Sequence, residues 1–81
     1  MSEELHSLVL YLARALVDSP DDVSLDHEER GQKVYFRLAV PDDEKGKVIG
    51  RGGRTARALR LLVGAAAAKQ GLRAELEIVD A

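Results

Sequence analysis

A cluster of glycines in the middle of the chain places the strongest limit on how it can fold. Gly46, Gly50, Gly52 and Gly53 fall within eight residues, between a short and a long segment of helical pattern. Because glycine adopts positive φ angles without steric penalty, this spacing lets one helix end, the backbone turn sharply and a second helix begin at once. We call residues 50–53 the glycine loop, and we predict that it joins two helices with almost bare backbone.

The glycine loop is also a candidate binding site for an anion. The first turn of the following helix leaves N–H groups unpaired and carries the positive end of the helix dipole, which favours a phosphate. Lys47 and Arg51 precede that turn, and three arginines follow along the helix. We rank Arg54 first for a phosphate contact because it lies nearest the loop, then Arg57, and Arg60 last. A polyanion is therefore the expected ligand.

Charge is distributed very unevenly along the chain. The net charge is −2, but residues 1–44 carry a balance of −7 and residues 45–81 a balance of +5. Between Lys45 and Arg60 there are six basic residues and no acidic one, so the positive field is concentrated at the glycine loop. A basic helix face is often merely solvated, but beside this loop binding of a polyanion is the favoured interpretation.

Hydrophobic periodicity predicts an α+β fold with the order α-β-β-α-α-β. Helices are predicted over 3–17, 43–49 and 54–69, and strands over 22–28, 33–40 and 72–79. A four-residue turn with Gly31 makes the first two strands an antiparallel hairpin, and the helical crossover lets the last strand lie parallel to the second. We therefore expect a three-stranded mixed sheet packed on three helices, as one domain over 1–81 with Phe36 in its core.

The buried faces of the two long helices follow from the helical period. The first helix is expected to bury Leu5, Leu8, Val9, Leu12 and Leu16. The long helix after the loop is expected to bury Thr55, Leu59, Leu62, Val63 and Ala66. Leu10 and Tyr11 lie off the first stripe and are assigned to the edge of the core, with a partner surface as the alternative.

The composition argues against several function classes. The chain has no cysteine, and no apolar run approaches the roughly 20 residues that span a membrane, so we expect a soluble cytoplasmic protein without a membrane segment. We expect no cofactor, no metal and no enzyme activity, because no nucleophile, base and orienting residue form a set and the two histidines lie in separate elements. The acidic residues 42–44 are assigned to helix capping, with Ser2 capping the first helix.

Val48-Ile49-Gly50-Arg51-Gly52-Gly53 resembles the I-G-x-x-G signature of the KH domain, in which a GXXG loop lies between two helices and clamps about four nucleotides. The predicted order of elements matches the type II, or prokaryotic, KH arrangement. Over essentially all of its length, the chain resembles the small bacterial single-KH proteins of the KhpA type. In this sequence Gly52 occupies the second variable position of the loop, so Arg51 carries the charge of the loop alone.

The resemblance implies single-stranded RNA binding, with an RNA chaperone or post-transcriptional regulator as the expected role. The expected RNA-binding residues are Lys47, Val48, Ile49, Gly50, Arg51, Gly52, Gly53, Arg54 and Arg57. Val48 and Ile49 are expected both to anchor the loop in the core and to form the apolar floor of a base-binding groove. The alternative for these two residues is a purely structural role in the core.

A second surface is expected on the long helix, away from its buried stripe. It consists of Leu61, Gly64, Ala65 and Ala68. Gly64 costs helix stability without serving as a cap, and close approach of another helix would explain it; an alanine-rich exposed surface is the alternative. Proteins of the KhpA type are described as self-associating and as pairing with a larger Jag/KhpB-type KH protein, so the resemblance favours a dimer interface here.

Two other functions fit parts of the sequence. The chain could serve mainly as an interaction subunit of a KH complex, with RNA contact secondary. A helix-turn-helix that enters the DNA major groove would also use two short helices and a glycine turn, but three surrounding strands are not part of that motif.

Overall fold

The computed structural model describes residues 2–81, and the elements follow the predicted order. The helices are α1 (Ser2–Leu16), α2 (Lys45–Ile49) and α3 (Arg54–Lys69), and the strands are β1 (Ser24–Arg30), β2 (Lys33–Val40) and β3 (Arg73–Asp80). Each predicted boundary lies within two residues of the observed one. Residue 1, which the predicted domain over 1–81 includes, lies outside the described residues.

The three strands form one sheet with β2 in the centre. β1 pairs antiparallel with β2, and β3 pairs parallel with β2 on the other side, as the hairpin and the crossover predict. In this register Phe36 lies opposite His27 on β1 and Leu76 on β3. One edge of β3 therefore has no neighbouring strand among the described residues.

The core lies between one face of this sheet and the helices. β2 alternates as its sequence predicts, and it buries Val34, Phe36, Leu38 and Val40. Phe36 is the largest of the fully buried side chains, which confirms its predicted place in the core. The opposite face of the sheet is exposed and charged, with ion pairs between Lys33 and Glu75 and between Arg37 and Glu77.

The predicted buried face of α1 is partly wrong. The helix buries Ser2, Leu5, Val9 and Ala13. Leu8 and Leu12 are only half-buried, and Leu16 is exposed at the end of the helix. The prediction from the helical period gave leucine more weight than alanine. In the structure α1 packs against both α3 and the sheet, and the small side chain of Ala13 lets the backbones come close. Leu10 packs at the edge of the core, as predicted, whereas Tyr11 is exposed.

The predicted face of α3 is rotated in the same way. The buried residues of this helix are Ala56, Leu59, Val63 and Ala67. Thr55 and Ala66 are half-buried, and Leu62 is 56% exposed. Leu59 and Val63 were predicted correctly because they lie where the predicted and observed faces overlap.

The predicted caps of two helices are also wrong. Ser2 is buried inside the first turn of α1, and its Oγ donates to Glu29 Oε2 at 2.5 Å. Asp42 lies within a short 3-10 turn, Asp42–Glu44, that precedes α2. The N-cap residue of α2 is Glu44, and no side-chain hydrogen bond caps the helix. The Ser2 hydroxyl thus bonds to a residue that is distant in the sequence. Helix-cap preferences, which consider only neighbouring residues, cannot predict such a bond.

The two histidines, which lie in separate elements, meet in space. His6 Nδ1 of α1 and His27 Nδ1 of β1 are 2.8 Å apart, so one nitrogen donates and the other accepts. His27 also contacts the ring of Phe36. The pair joins α1 to the hairpin, and no group of residues able to hold a metal ion occurs among residues 2–81.

The end of α3 confirms the predicted glycine cap. Gly71 has a φ of +72°, its N–H bonds to the Ala68 carbonyl at 3.0 Å, and the Leu72 N–H bonds to the Ala67 carbonyl at 2.9 Å. This pair of bonds is a Schellman motif, which turns the chain into β3. Within the described part of the chain, no helix has the length and apolar character needed to cross a membrane.

Candidate nucleic-acid interface

The glycine loop forms the predicted tight turn between α2 and α3. The Gly50 N–H closes α2 on the Gly46 carbonyl at 2.9 Å, and the Gly53 N–H bonds back to the Gly50 carbonyl at 3.0 Å. Gly50, Gly52 and Gly53 have φ angles of +78°, +65° and +78°. Three of the four loop positions thus use a backbone conformation that residues with side chains rarely adopt.

Gly50 is required for a second reason, which is space. A Cβ at this position would lie 2.8 Å from the backbone nitrogen of Thr55, closer than real Cβ atoms come. Its ψ of 167° also places Gly50 in a region that is essentially restricted to glycine. Gly52 differs, because a Cβ there would meet nothing within 4 Å. The close approach of Gly50 to Thr55 brings the start of α3 directly against the end of α2.

We predict that Gly50→Ala destabilises the protein strongly, whereas Gly46→Ala does not. The first substitution adds both backbone strain and a clash, about 3 kcal/mol of unfolding free energy together. Gly46 lies in α2 without a positive φ and with open space around it, so alanine there should stabilise the protein by up to about 1 kcal/mol. Urea unfolding of both variants tests this prediction, and equal effects of the two substitutions would contradict it.

The arginines around the glycine loop have unpaired charges. Arg51, Arg54 and Arg57 are exposed, and within residues 2–81 their side chains have no hydrogen-bond or ion-pair partner. Arg57 lies over the loop, since its Nη1 would be 3.6 Å from a Cβ at Gly53. The first turn of α3 also has no side-chain cap, because Gly53 occupies the cap position. A helix start without a side-chain cap and three unpaired guanidinium groups therefore lie at and just after the loop.

A groove of about 460 Å³ opens beside the loop, between α3 and β3. Its lining consists of Ile49, Gly53, Ala56, Arg57, Arg60, Leu76, Glu77 and Ile78. Ile49 is 38% exposed and contributes apolar surface at the loop end. The contributions of Ala56 and of the β3 residues were not recognised in the sequence. The alternation of β3 suggested only which face is buried, and its position against α3 depends on tertiary structure.

Val48 and Ile49, both predicted to line the base-binding groove, have different positions in the structure. Val48 is fully buried in the core, so its side chain supports the loop and presents no surface to a ligand. Ile49 reaches the groove. Arg60, ranked last for a phosphate contact, donates from Nε to the Leu76 carbonyl at 3.2 Å. This hydrogen bond links α3 to β3 across the groove.

Lys47 differs from the arginines because its charge is balanced within the protein. Its Nζ donates to Asp18 Oδ2 at 2.5 Å and to Glu44 Oε1 at 2.9 Å. Glu44 is only 4% exposed, and its carboxylate also accepts hydrogen bonds from the backbone N–H groups of Asp18 and Ser19 at 2.9 and 2.7 Å. The assignment of Glu44 to helix capping missed this cluster, because its partners are about 25 residues away in the sequence.

The contacts of Glu44 change its protonation. Hydrogen bonds from the Asp18 backbone N–H, from Lys47 and from the Ser19 backbone N–H lower the pKa of the carboxyl from 4.5 to about 2, although burial opposes the shift. Asp18 and Glu44 in turn raise the pKa of Lys47. A carboxyl whose pKa is lowered by folding stabilises the folded state above its unfolded pKa, and this contribution is lost as the pH falls through the folded pKa.

We therefore predict that Glu44→Gln lowers the unfolding free energy at neutral pH and that its effect shrinks between pH 4.5 and 2. The reason is that a protonated glutamic acid and a glutamine are both neutral. Urea unfolding of wild type and variant at several pH values in this range measures the difference. A difference that stays constant down to pH 2 would show that the charge of Glu44 contributes nothing.

The second predicted surface lies on the exposed side of α3. Leu61 is 75% exposed, and Ala65 and Ala68 are also exposed. Gly64 is half-buried, but a Cβ there would meet nothing within 4 Å. Packing within the described chain therefore does not explain the glycine at position 64.

Comparison with known proteins identifies relatives of nearly the same length. The sequence profile of the family described as "KhpA/KhpB, KH domain" matches residues 6–78. A protein named "RNA-binding protein KhpA" from Halalkalibacterium halodurans is 49% identical over 76 residues, which is 94% of this chain and 100% of the relative. Proteins of the same name from Bacillus subtilis and Treponema pallidum are 41% and 44% identical, covering 96% and 99% of this chain and 96% of each relative.

Proposed function

This chain belongs to the KhpA/KhpB family of KH domains, and we propose that it binds single-stranded RNA at the glycine loop and the groove beside it. The observation that carries the proposal is that Arg51, Arg54 and Arg57, all without partners in the described structure, lie at and just after the start of α3, which has no side-chain cap. KH domains bind nucleic acid and are not enzymes, in agreement with the prediction made from the sequence.

In the proposed complex, the backbone of the glycine loop receives a phosphate. No side chain caps the first turn of α3, so a phosphate can approach the loop backbone there, and the helix dipole favours the negative charge. Arg51, Arg54 and Arg57 neutralise this phosphate and its neighbours. On the sheet, Arg30, Lys33 and Arg37 already pair with Glu28, Glu75 and Glu77, and within the described residues only Arg73 at the start of β3 has no partner. Unpaired positive charge is therefore most concentrated at the loop, which supports placing the RNA backbone there.

Bases in this complex lie in the groove between α3 and β3. Ile49, Ile78 and Ala56 provide apolar surface, and Arg57 provides a guanidinium plane for stacking. The free edge of β3 borders the groove, so its peptide groups can hydrogen-bond to base edges. A duplex hides its base edges from such a narrow site, which is why we propose a single strand of about four nucleotides.

The proposal predicts that Arg51→Asp/Gly52→Asp abolishes RNA binding without unfolding the protein. Wild type should bind a fluorescent single-stranded RNA pool with a log–log salt slope of about −2 to −3, as three or four neutralised phosphates imply. The variant should fold, because Gly52 has open space and a left-handed φ that aspartate tolerates better than most residues. Anisotropy titrations over a salt series measure binding, and circular dichroism checks folding.

Lys69→Asp/Gly71→Asp is a matched control for this experiment. It makes the same change in charge, and Gly71 also has a positive φ and open space. It lies at the far end of α3, about 22 Å from the loop along the helix. We expect this variant to keep most of the RNA affinity. If both double variants lose affinity equally, the effect is general charge repulsion and the loop is not the site.

A second candidate function is supported by the exposed surface of α3. We propose that Leu61, Gly64, Ala65 and Ala68 form an interface for a second copy of the chain or for a Jag/KhpB-type KH protein. Exposure of Leu61 at 75% and of its neighbour Leu62 at 56% favours this, because large apolar side chains gain most from burial. One groove gives modest affinity, and a dimer would add avidity. If RNA contact proves secondary, the chain is mainly an interaction subunit.

The interface proposal predicts that Gly64→Phe reduces self-association while leaving the monomer folded. The new side chain points into open space in the monomer but prevents another helix from coming close. Gly64→Ala is the matched control, and it should stabilise the monomer by about 1 kcal/mol through helix propensity. Sedimentation velocity measures the dimer, and RNA titrations follow. Loss of the dimer with retained RNA binding separates the two surfaces, whereas an unchanged dimer rejects the interface.

We extend the proposal to a cellular role as an RNA chaperone or post-transcriptional regulator in the cytoplasm. A single groove that takes a few nucleotides with weak sequence preference suits transient contact with many RNAs rather than one target. The support for this role is the membership of the KhpA/KhpB family.

A further inference from the structure

The structure assigns Lys47 a positioning role: we propose that it holds α2 and the glycine loop in place through Glu44 and does not neutralise an RNA phosphate. The inference rests on the proposed RNA-binding function and changes one of its predicted contacts. In the sequence, Lys47 is grouped with the arginines because it lies just before the glycine loop. The inference assigns Lys47 a different role from theirs.

The first argument is the direction in which Lys47 points. Lys47 and Ile49 are two positions apart on α2, which is about 200° around a helix with 3.6 residues per turn. Ile49 lines the groove, so Lys47 lies on nearly the opposite side of the helix. There its ammonium contacts Asp18, which follows the end of α1, and not the loop.

The second argument is the cost of moving the Lys47 ammonium to a phosphate. Glu44 is buried, and Lys47 is its only cationic partner among the described residues. Removing that partner would leave a carboxylate with little access to water and only two backbone N–H groups. Arg51, Arg54 and Arg57 lose no internal contact when they meet RNA. RNA therefore recruits the arginines at lower cost than Lys47.

The third argument is that α2 needs external support. The helix has only five residues, too few to be stable alone. Val48 fixes one side of it in the core, and the Lys47–Glu44 pair fixes another side to the turn after α1. Because α2 ends at Gly50, its orientation decides where the glycine loop lies relative to the groove.

The experiment compares Lys47→Gln with Arg51→Gln. Each variant removes one positive charge, from a residue three positions before the loop and from a residue within the loop, respectively. Each is titrated with the same single-stranded RNA pool over a salt series. Loss of one phosphate contact should reduce the magnitude of the salt slope by about 0.7, and we expect this for Arg51→Gln. For Lys47→Gln we expect an unchanged slope and a loss of affinity by the same factor at every salt concentration. A reduction of the slope by about 0.7 in Lys47→Gln would overturn the inference.

Asp18→Asn provides a second variant that leaves α2 untouched. If Lys47 were a phosphate ligand restrained by the exposed Asp18, removing that restraint would strengthen RNA binding and steepen the slope. We expect neither change, because Glu44 still holds the ammonium, and either change would contradict the proposal.

Hydrogen exchange in the free protein gives a readout that does not depend on RNA. The Gly50 N–H closes the last turn of α2 on the Gly46 carbonyl. Its exchange should become several-fold faster in Lys47→Gln, and unchanged exchange would reject the positioning role. If the wild type binds no RNA, or if Arg51→Asp/Gly52→Asp binds normally, the proposed function fails. The exchange measurement still decides the role of Lys47 in that case.

Discussion

The fold and the candidate site both depend on the close approach of the bare backbone of Gly50 to Thr55. A side chain at Gly50 would occupy the space of Thr55, so only glycine lets α3 begin directly against the end of α2. This junction turns Ile49 into the groove while Val48 stays in the core. It also leaves the first turn of α3 without a side-chain cap, so the positive end of the helix dipole stays open to a ligand.

The net positive charge at the site depends on which basic side chains already form ion pairs within the protein. Most basic side chains outside the loop have an internal partner: Lys33 and Arg37 pair across the sheet, and Lys45 pairs with Asp80 at 2.6 Å. Such pairs at the surface add little stability, but they cancel positive charge away from the proposed RNA site. Arg51, at the loop, has no such partner in the described chain. A net charge of −2 is thus compatible with a locally strong attraction for phosphate.

Local patterns predicted the elements well because their signals are short-range. The alternation of residues 33–40 and the glycines on either side of residues 54–69 fixed both elements at their observed bounds. The buried helix faces were predicted less well. Ala13 and Ala67 are buried because neighbouring backbones approach closely there, and not because of their own hydrophobicity. The loop was visible in the sequence, but the β3 side of the groove and the Glu44 cluster arise only when distant segments meet.

One rigid element connects the two proposed surfaces. The first turn of α3 carries Arg54 and Arg57 at the loop, and the proposed interface begins one turn further along with Leu61. An α-helix bends little over such a distance, so two copies joined through this surface would hold their grooves at a fixed separation and angle. A fixed geometry raises the effective concentration of the second groove only for RNA that can span the gap. The interface would then select RNA by the spacing of single-stranded segments, a property that one groove of about four nucleotides cannot have.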